Sequence, residues 1–217
     1  MAISTYTELK TEIADHLNRT DLTSQIPNFI VLAEAMHKRD VRIREMITRI
    51  SDDVDARYVA LPAGFLEGIS MRILYTGGGV KTIDYLSPEE MTRQREKYQS
   101  RFPTAPAPLE PYYYTIEEQI EFDSDPTADG ALVVDFEMRY YKAFTALSAA
   151  APTNGLLTRS PDIYLYSALT AASPYLLNDQ RIAVWGGLAT NAINAINLMD
   201  RKRSASSLVA KVVGSTP

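Results

Sequence analysis

The spacing of apolar residues changes twice along the chain, and each change marks a different kind of element. Near the start, Leu9, Ile13 and Leu17 recur at helical spacing. Thr5 and Glu8 stand in the pattern of a capping box, in which each side chain accepts a hydrogen bond from the other residue's backbone N–H. The pattern therefore predicts a helix that begins just after Thr5.

A second helix is predicted from about Ser24, with Pro27 in its first turn, where a missing N–H is tolerated. It ends in a basic stretch that favours the negative end of the helix dipole. This stretch and the basic residues after it fit a solvated helix end or a partner-binding patch equally well: Lys38, Arg39, Arg42 and Arg44. The predicted buried side consists of Phe29, Ile30, Leu32, Ala33 and Met36.

The period then becomes that of strands. "EMITRIS" and "RYVAL" are predicted strands around a polar turn. "MRILYT" and "VKTIDYL" are predicted to form a hairpin around Gly77, Gly78 and Gly79, because glycine adopts the positive φ values of a tight turn. A short helix is predicted near residues 88–98, and the proline-rich stretch after it is predicted to be a loop or an arm.

Two further segments, "YYYTIEEQIEF" and "ALVVDFEMRYY", alternate apolar and polar residues. They are predicted to pair as one long hairpin through "DSDPTADG". Helical spacing returns at Ser160, a predicted N-cap followed by Pro161, and Pro174 is predicted to end or kink this helix.

The last predicted helix is capped by Asn178 or Asp179 and ends in a basic turn. Its predicted apolar side consists of Ile182, Trp185, Leu188, Ala192, Ile196 and Met199. Trp185 is interpreted as a core residue in preference to an interface anchor. Small residues on the last two helices would let a neighbouring helix approach closely: Ala168, Ala171, Ala172, Gly186, Gly187 and Ala189.

This order of elements predicts an α+β protein. Residues 1–43 and 142–203 are expected to form a helical bundle, and residues 44–141 a β-hairpin-rich insert that contains the short helix. Residues 204–217 are small and polar with few apolar anchors, so they are expected to form an extended, flexible C-terminal tail.

Composition and charge exclude several classes of function. The 217 residues are 46% hydrophobic and 23% charged, as in a folded protein, and include no cysteine. No apolar run reaches the roughly 20 residues of a membrane span, and the N-terminus lacks the pattern of a secretion signal. Residues 102–138 contain nine acids and no lysine or arginine, whereas the stretch from Asp179 onward carries a net charge of +3. We therefore expect no wrapping of nucleic acid by the whole surface.

No motif predicts an enzyme, a metal or a cofactor. "TGGGVKT" departs from a phosphate-binding loop because Val80 separates the glycines from the lysine, and a hairpin turn explains it better. "DSDPTADG" has Gly130 at the eighth position, where a calcium loop needs glycine at the sixth. His16 and His37 lack zinc-binding spacing. Glu117 and Glu121 could form a glycosidase pair, but the exposed face of a hairpin is the preferred interpretation.

Four segments in order resemble the head-to-tail adaptor proteins of tailed phages, over roughly residues 5–203. The first runs from "TYTELKTEIADHLNRTDLT" through "IPNFIVLAEAMHKRDVRIREM"; the others are "YVALPAGFLE", "IDYLSPEEM" and "TNGLLTRSPDIYLYSALTAASPYLLNDQRIAVW". Gly155 departs from the bulky, often aromatic residue expected there, and the last fourteen or so residues match no part of the pattern.

The resemblance implies a structural virion protein that forms a ring, typically of twelve copies, at the neck. Such a ring docks under the portal protein, extends the DNA channel and offers a surface to tail components. DNA would pass without specific binding, and assembly would take place in the host cytoplasm without a membrane. A tail-completion or stopper protein at another level of the neck is the nearest alternative, followed by a DNA-binding module that uses the basic stretches.

Two candidate surfaces follow from these expectations. The candidate portal or neighbour interface consists of Gly186, Gly187, Ala189, Arg201, Lys202, Arg203, Leu208, Val209 and Val212. The candidate acidic hairpin, expected to face the channel lumen or the tail, consists of Glu117, Glu118, Glu121, Asp123 and Asp125. Acidic walls would repel the duplex, whereas lysines would hold its phosphates and slow ejection.

Overall fold

The computed structural model describes residues 3–54, 56–75, 77–102, 113–123, 133–176 and 180–206, and over these the chain is mixed α and β, as predicted. In chain order the elements are α1 (Tyr6–Leu17), α2 (Ile26–Asp40), β1 (Ile47–Asp53), β2 (Tyr58–Ala60), β3 (Phe65–Tyr75), β4 (Val80–Tyr85), α3 (Pro88–Arg101), β5 (Tyr113–Ile116), β6 (Gln119–Phe122), β7 (Val133–Lys142), α4 (Gly155–Arg159), α5 (Pro161–Ala171) and α6 (Arg181–Ser206). The chain divides into two compact units. We call Met1–Glu45 with Phe144–Pro217 the helical unit, and Met46–Ala143 the sheet unit.

Helix α1 begins as its sequence predicts. The Thr5 hydroxyl accepts the N–H of Glu8 at 3.2 Å, and the Glu8 carboxylate accepts the N–H of Thr5 at 2.9 Å. The helix ends at Asn18, whose φ of 50° closes it in the left-handed conformation. Leu9, Ile13 and Leu17 are buried. The capping box and the apolar spacing together therefore specified both ends and the inner face of this helix.

Helix α5 is the centre of the helical unit, because α1, α2, α4 and α6 all pack against it. Its buried residues include Tyr164, Leu165 and Leu169, as predicted. Ser160 occupies the predicted N-cap position, although its side chain makes no capping hydrogen bond. Pro174 lies in a short 3-10 turn that ends the helix, and Asn178 and Asp179 lie outside the described residues.

The inner faces of α2 and α6 differ from the prediction in part. On α2, Phe29, Ile30 and Ala33 are buried as predicted, whereas Leu32 is exposed and Met36 is only half-buried. Ile26 and His37 are buried in addition. On α6, Trp185 and Ile196 are buried as expected, whereas Leu188 and Met199 are exposed. The buried side of α6 consists of Trp185, Ala189, Ile193, Ile196 and Asp200. Both helices have apolar residues on two sides, so apolar spacing alone could not identify the side that packs.

Gly155, the departure from the adaptor pattern, lies beside an aromatic ring. A Cβ on Gly155 would meet the ring of Phe144 at 3.3 Å, tighter than most side-chain contacts. Phe144 therefore occupies the space next to this position, where a larger residue would require its ring to move.

The described strands of the sheet unit form one sheet in the order β1-β7-β3-β4-β5-β6-β2. Neighbouring strands are antiparallel except β4 and β5. The predicted hairpin of β3 and β4 is confirmed, with Met71 opposite Ile83 and Leu74 opposite Val80. Gly77 and Gly78 have φ values of 97° and 89°, whereas Gly79 has no positive φ.

The predicted long hairpin through residues 123–130 is wrong. Strand β7 lies between β1 and β3, and β5 pairs with β6 through a turn at Glu117 and Glu118. Alternation had correctly placed Phe136, Met138 and Tyr140 on the inner face. A period of two identifies the two faces of a strand but carries no information about its neighbours in the sheet, which explains the error.

One face of this sheet encloses the core of the sheet unit. The fully buried side chains are contributed by several strands and include Met71, Ile73, Ile120, Phe122, Phe136 and Met138. Phe122 and Phe136 meet in an edge-to-face arrangement with their ring centroids 6.1 Å apart. The opposite face of β1, β7 and β3 is polar, so the alternation along each strand separates core from solvent.

Candidate assembly surfaces

The described residues contain no group of three or more histidine, aspartate or glutamate side chains that could hold a metal ion. Helices of sufficient length and apolarity to span a membrane are likewise absent from this part of the chain.

Glu117 and Glu118 form the exposed tip of the acidic hairpin. They occupy the turn between β5 and β6, where the N–H of Glu117 donates to the carbonyl of Gln119 at 3.0 Å. Asp123 follows β6 and is partly buried, and its N–H donates to the carbonyl of Tyr113 at 3.1 Å. Asp125 lies outside the described residues. The tip thus presents two adjacent carboxylates to solvent.

Glu121 differs from the other acids of this hairpin because two arginines bind it. Its carboxylate lies 2.7 Å from Arg95 on α3 and 3.4 Å from Arg57, and its side chain is 17% exposed. Arg95 also donates to the carbonyl of Phe122 at 3.0 Å. The site carries two positive charges against one negative, so Glu121 adds no net negative charge to the surface. Sequence spacing had grouped it with Glu117 because the pairing arginines are distant in the chain.

A second acidic site was missed in the sequence. Asp53 of β1 and Asp135 of β7 lie directly opposite each other in the ladder, next to Asp52. A hydrogen bond with Asp53, followed by burial and the repulsion of Asp53 and Asp52, raises the pKa of Asp135. Like charges directly opposite are destabilising, and only knowledge of the β1–β7 register could have revealed this pair.

Gly186 and Gly187 lie in the interior of α6, where the described residues of the chain leave room for a larger side chain at both positions. A Cβ on Gly186 would make only an ordinary contact with Thr170 at 3.9 Å, and one on Gly187 would meet no described atom within 4 Å. Each glycine costs about 1 kcal/mol relative to alanine in a helix interior. Ala189, the third small residue of the candidate interface, is 3% exposed and is instead part of the core.

The basic end of α6 is partly tied to its own unit. Asp200 is buried and accepts hydrogen bonds from the N–H and the Nε of Arg44, at 3.1 and 3.3 Å. Arg201 and Lys202 are exposed beside it. The Arg203 side chain, Leu208, Val209 and Val212 lie outside the described side chains and residues. Two cations of the predicted patch are thus on the surface.

Two apolar surfaces on the helical unit were not predicted. We call Val184, Leu188, Asn191, Ala195 and Leu198 the outer stripe of α6. We call Val31, Leu32 and Ala35 the ridge of α2. The larger apolar side chains of both are substantially exposed, at 61% for Val31, 55% for Leu32, 39% for Leu188 and 52% for Leu198. Their spacing was visible in the sequence, but their exposure was not.

A buried polar cluster fastens the chain after the sheet unit to α2. Glu34 accepts the N–H of Leu147 at 2.7 Å, and Asn154 donates to the Tyr164 hydroxyl at 2.7 Å and to the carbonyl of Thr145 at 2.8 Å. Burial raises the pKa of both Glu34 and Tyr164. These groups are held by one another, which indicates a structural role.

His37 belongs to the same region. Its Nε2 lies 3.1 Å from the Ser167 hydroxyl, and its ring meets that of Tyr164 edge-on at 4.7 Å. Burial lowers the pKa of His37 to about 4, so the ring is neutral at neutral pH. His37 thus lies inside the helical unit, although the three residues that follow it on α2 are exposed.

The family model described as SU10 adaptor protein matches residues 4–211, which includes segments of both units. No curated protein matches the chain. The match covers all four segments that resemble head-to-tail adaptors.

Proposed function

The chain belongs to the SU10 adaptor protein family, a phage head-to-tail adaptor family, and from this premise we propose that it forms a ring beneath the portal. In this proposal the ring contains twelve copies, extends the DNA channel and carries the tail components. It is located at the virion neck after assembly in the host cytoplasm. The family is structural and is not a known enzyme family.

The observation that carries the proposal is the extent of the family match. Residues 4–211 include every described element of both units, so the match is not limited to one common helical motif. The helical unit and the sheet unit are both parts of the family pattern. A structural role also agrees with a buried polar cluster whose members bind one another.

We assign the portal side to the C-terminal end of α6. Arg201 and Lys202 are exposed there, and Arg203, Leu208, Val209 and Val212 follow in the sequence. We propose that this C-terminal segment becomes ordered when it docks. The conformational entropy lost at that step must be offset by contacts with the partner surface. Cations followed by apolar residues suit a portal surface that combines carboxylates with an apolar groove.

We assign the acidic hairpin to the channel or to the next tail component. Glu117 and Glu118 supply exposed negative charge, with Asp123 and Asp125 next in the chain, whereas the charge of Glu121 is neutralised. Carboxylates beside the duplex add no phosphate contacts, so DNA would pass without being held.

Electron microscopy of the protein mixed with portal rings of the same phage tests the function. We expect a closed ring on the portal, and the matched variant Arg201→Glu with Lys202→Glu should lose portal binding while remaining folded. Binding only to portals that already carry an adaptor would place the protein at another level of the neck. Salt-dependent DNA binding by the isolated chain, without portal binding, would support the DNA-binding module instead.

A further inference from the structure

The middle of α6 lacks the charged residues that a solvent-facing helix normally carries. From Ile182 to Met199 the sequence contains no aspartate, glutamate, lysine or arginine. One side of this stretch packs inside the helical unit through Trp185, Ala189 and Ile193. The outer side of a surface helix normally carries charged residues, but here it exposes the outer stripe.

The outer stripe has the spacing of a helix–helix contact. Its five residues are separated by four, three, four and three positions, the repeat by which helices pack side by side. Gly187 lies next to Leu188 and leaves open space on the helix surface. A neighbouring side chain can enter this space and bring a second helix close.

The ridge of α2 is a second uncharged surface on the same unit. Between Ile26 and Met36 the only charged residue is Glu34, which points inward and binds Leu147. Val31 and Leu32 project from this stretch beside the smaller Ala35. Val31 and Leu32 therefore project from α2, whereas α6 carries no side chain at Gly187, next to Leu188 of the outer stripe.

Helices α2 and α6 both pack on α5 and run in the same direction. Phe29 near the start of α2 contacts Tyr175 after α5, while His37 contacts Ser167 within it, so α2 is antiparallel to α5. Gly186 near the start of α6 lies beside Thr170 at the end of α5, whereas Asp200 binds Arg44, whose neighbour Glu45 binds Arg159 just before α5. Helix α6 is therefore antiparallel to α5 as well.

A shared hydrogen bond sets the two surfaces at one height. Asn197 of α6 donates to the carbonyl of Asp40, the last residue of α2, at 2.8 Å. Leu32 precedes Asp40 by eight residues, and Leu188 precedes Asn197 by nine. At 1.5 Å per residue they lie about 12 Å and about 14 Å from the bond, so Leu32 of the ridge and Leu188 of the outer stripe are level to within about 2 Å.

We infer that the outer stripe of α6 is covered by the ridge of α2 from a neighbouring copy, with α2 and α6 running along the ring axis. The inference rests on the ring of the proposed function. Rotation about an axis keeps each residue at its height, so level surfaces on two helices can meet between copies. A cyclic ring of more than two copies joins two different surfaces of each subunit. The ridge of α2 and the outer stripe of α6 are two such surfaces, because each is uncharged and faces away from α5.

Charge exchange between the two surfaces tests the inference on the full chain. Leu32→Glu and Leu188→Lys each place an unpaired charge in the contact, and each should weaken self-association by roughly tenfold or more. A mixture of the two variants should assemble again, because lysine of one copy then meets glutamate of the next. Val80→Lys, a change at a 58% exposed residue of the sheet unit, is the matched control and should assemble normally.

The readouts are native mass spectrometry and electron microscopy, with and without portal rings, and thermal unfolding confirms that each variant is folded. Since the chain contains no cysteine, Leu32→Cys combined with Leu188→Cys gives a second measurement. A short thiol cross-linker should convert the double variant into a ladder of multimers, and each single variant into dimers at most.

Assembly of the wild-type chain together with normal assembly of either charged variant would overturn the inference and leave the proposed function intact. If both variants lose self-association and the mixture does not recover it, the inference is also overturned, because the two surfaces would then contact something other than each other, such as the portal. Failure of the wild-type chain to assemble under any condition would instead refute the ring itself.

Discussion

The helical unit and the sheet unit treat their apolar surface differently. In the sheet unit the exposed large apolar side chains, Tyr58, Ile69, Val80, Tyr85 and Phe102, fall on different elements or at opposite ends of one strand. In the helical unit all of them except Tyr175 lie on α2 or α6: Val31, Leu32, Val184, Leu188, Leu198 and Met199. Isolated exposed apolar residues are normal on any protein, whereas aligned ones are typical of a contact surface. This alignment supports the proposed contact between copies.

The two units also differ in how they hold buried charge. Glu121 in the sheet unit is bound by two arginines, and Glu137 lies between Arg49 and Arg72 at 3.3 and 4.0 Å. In the helical unit Asp200 is also paired with an arginine, Arg44, but Glu34 and His37 have uncharged partners, the Leu147 N–H and the Ser167 hydroxyl. Groups held this way respond to pH through burial, so the pH response of the protein should arise mainly in the helical unit.

The largest effect is expected from the core of the sheet unit. Phe136→Ala should lower the free energy of unfolding by about 3–5 kcal/mol, because it removes a fully buried ring from a packed cluster. Val80→Ala, at an exposed position of the same sheet, should change it by less than about 1 kcal/mol. Urea unfolding of both variants measures the difference, and equal effects would show that Phe136 is not central to this core.

Acid should weaken the helical unit through His37. Its pKa is about 4 in the folded chain against 6.5 unfolded, so between these values only the unfolded chain binds the proton. The free energy of unfolding should therefore fall by about 3 kcal/mol as pH falls from 6.5 to 4. Glu34 acts in the opposite sense, since its raised pKa removes stability as pH rises above 4.5.

Urea midpoints between pH 4 and pH 7 measure this dependence. His37→Gln should be less stable at pH 7 but should lose less on acidification, because no proton is then excluded. An unchanged pH slope in this variant would assign the acid sensitivity to other groups. Hydrogen bonds from Ser4 and Thr5 lower the pKa of Glu8 from 4.5 to about 2, so its stabilisation is lost as pH falls from 4.5 to 2, mostly below this window.

The arginine-paired and the exposed glutamates of the hairpin should differ clearly in their effect on the free energy of unfolding. Glu121→Gln leaves Arg57 and Arg95 without their anion and should cost about 1–3 kcal/mol, because these side chains are only partly exposed. Glu118→Gln removes a charge from an exposed turn and should have almost no effect on stability. Thermal unfolding at low and high salt compares them, and equal losses would contradict the pairing of Glu121.

The smallest effect concerns Gly187. In the unassembled chain Gly187→Ala should raise stability by up to about 1 kcal/mol, because alanine favours the helix and no described atom opposes it. Gly64→Ala is the contrasting control and should destabilise, since its φ of 76° strains any side chain. A loss of stability in the monomeric Gly187 variant would reveal an unseen contact within the subunit.

Much of the local structure followed from short stretches of sequence. Thr5 and Glu8 specified the start of α1, the glycines after Tyr75 specified the β3–β4 turn, and Pro174 marked the end of α5. The resemblance to head-to-tail adaptors, confirmed by the family match, rested on such stretches in order. Capping, turn geometry and apolar period are interactions between residues close in the chain, so neighbouring residues suffice to predict them.

Other features depended on residues far apart in the chain. Contacts between distant residues place β7 between β1 and β3 and bring the arginines to Glu121. Such contacts also bury His37 and select the side of α6 that packs on α5. By itself the sequence determined the class of protein, its family and the ends of several elements. Only the tertiary structure decided which of two equally apolar helix faces is inside, because burial depends on the neighbour that a face meets and not on its own composition.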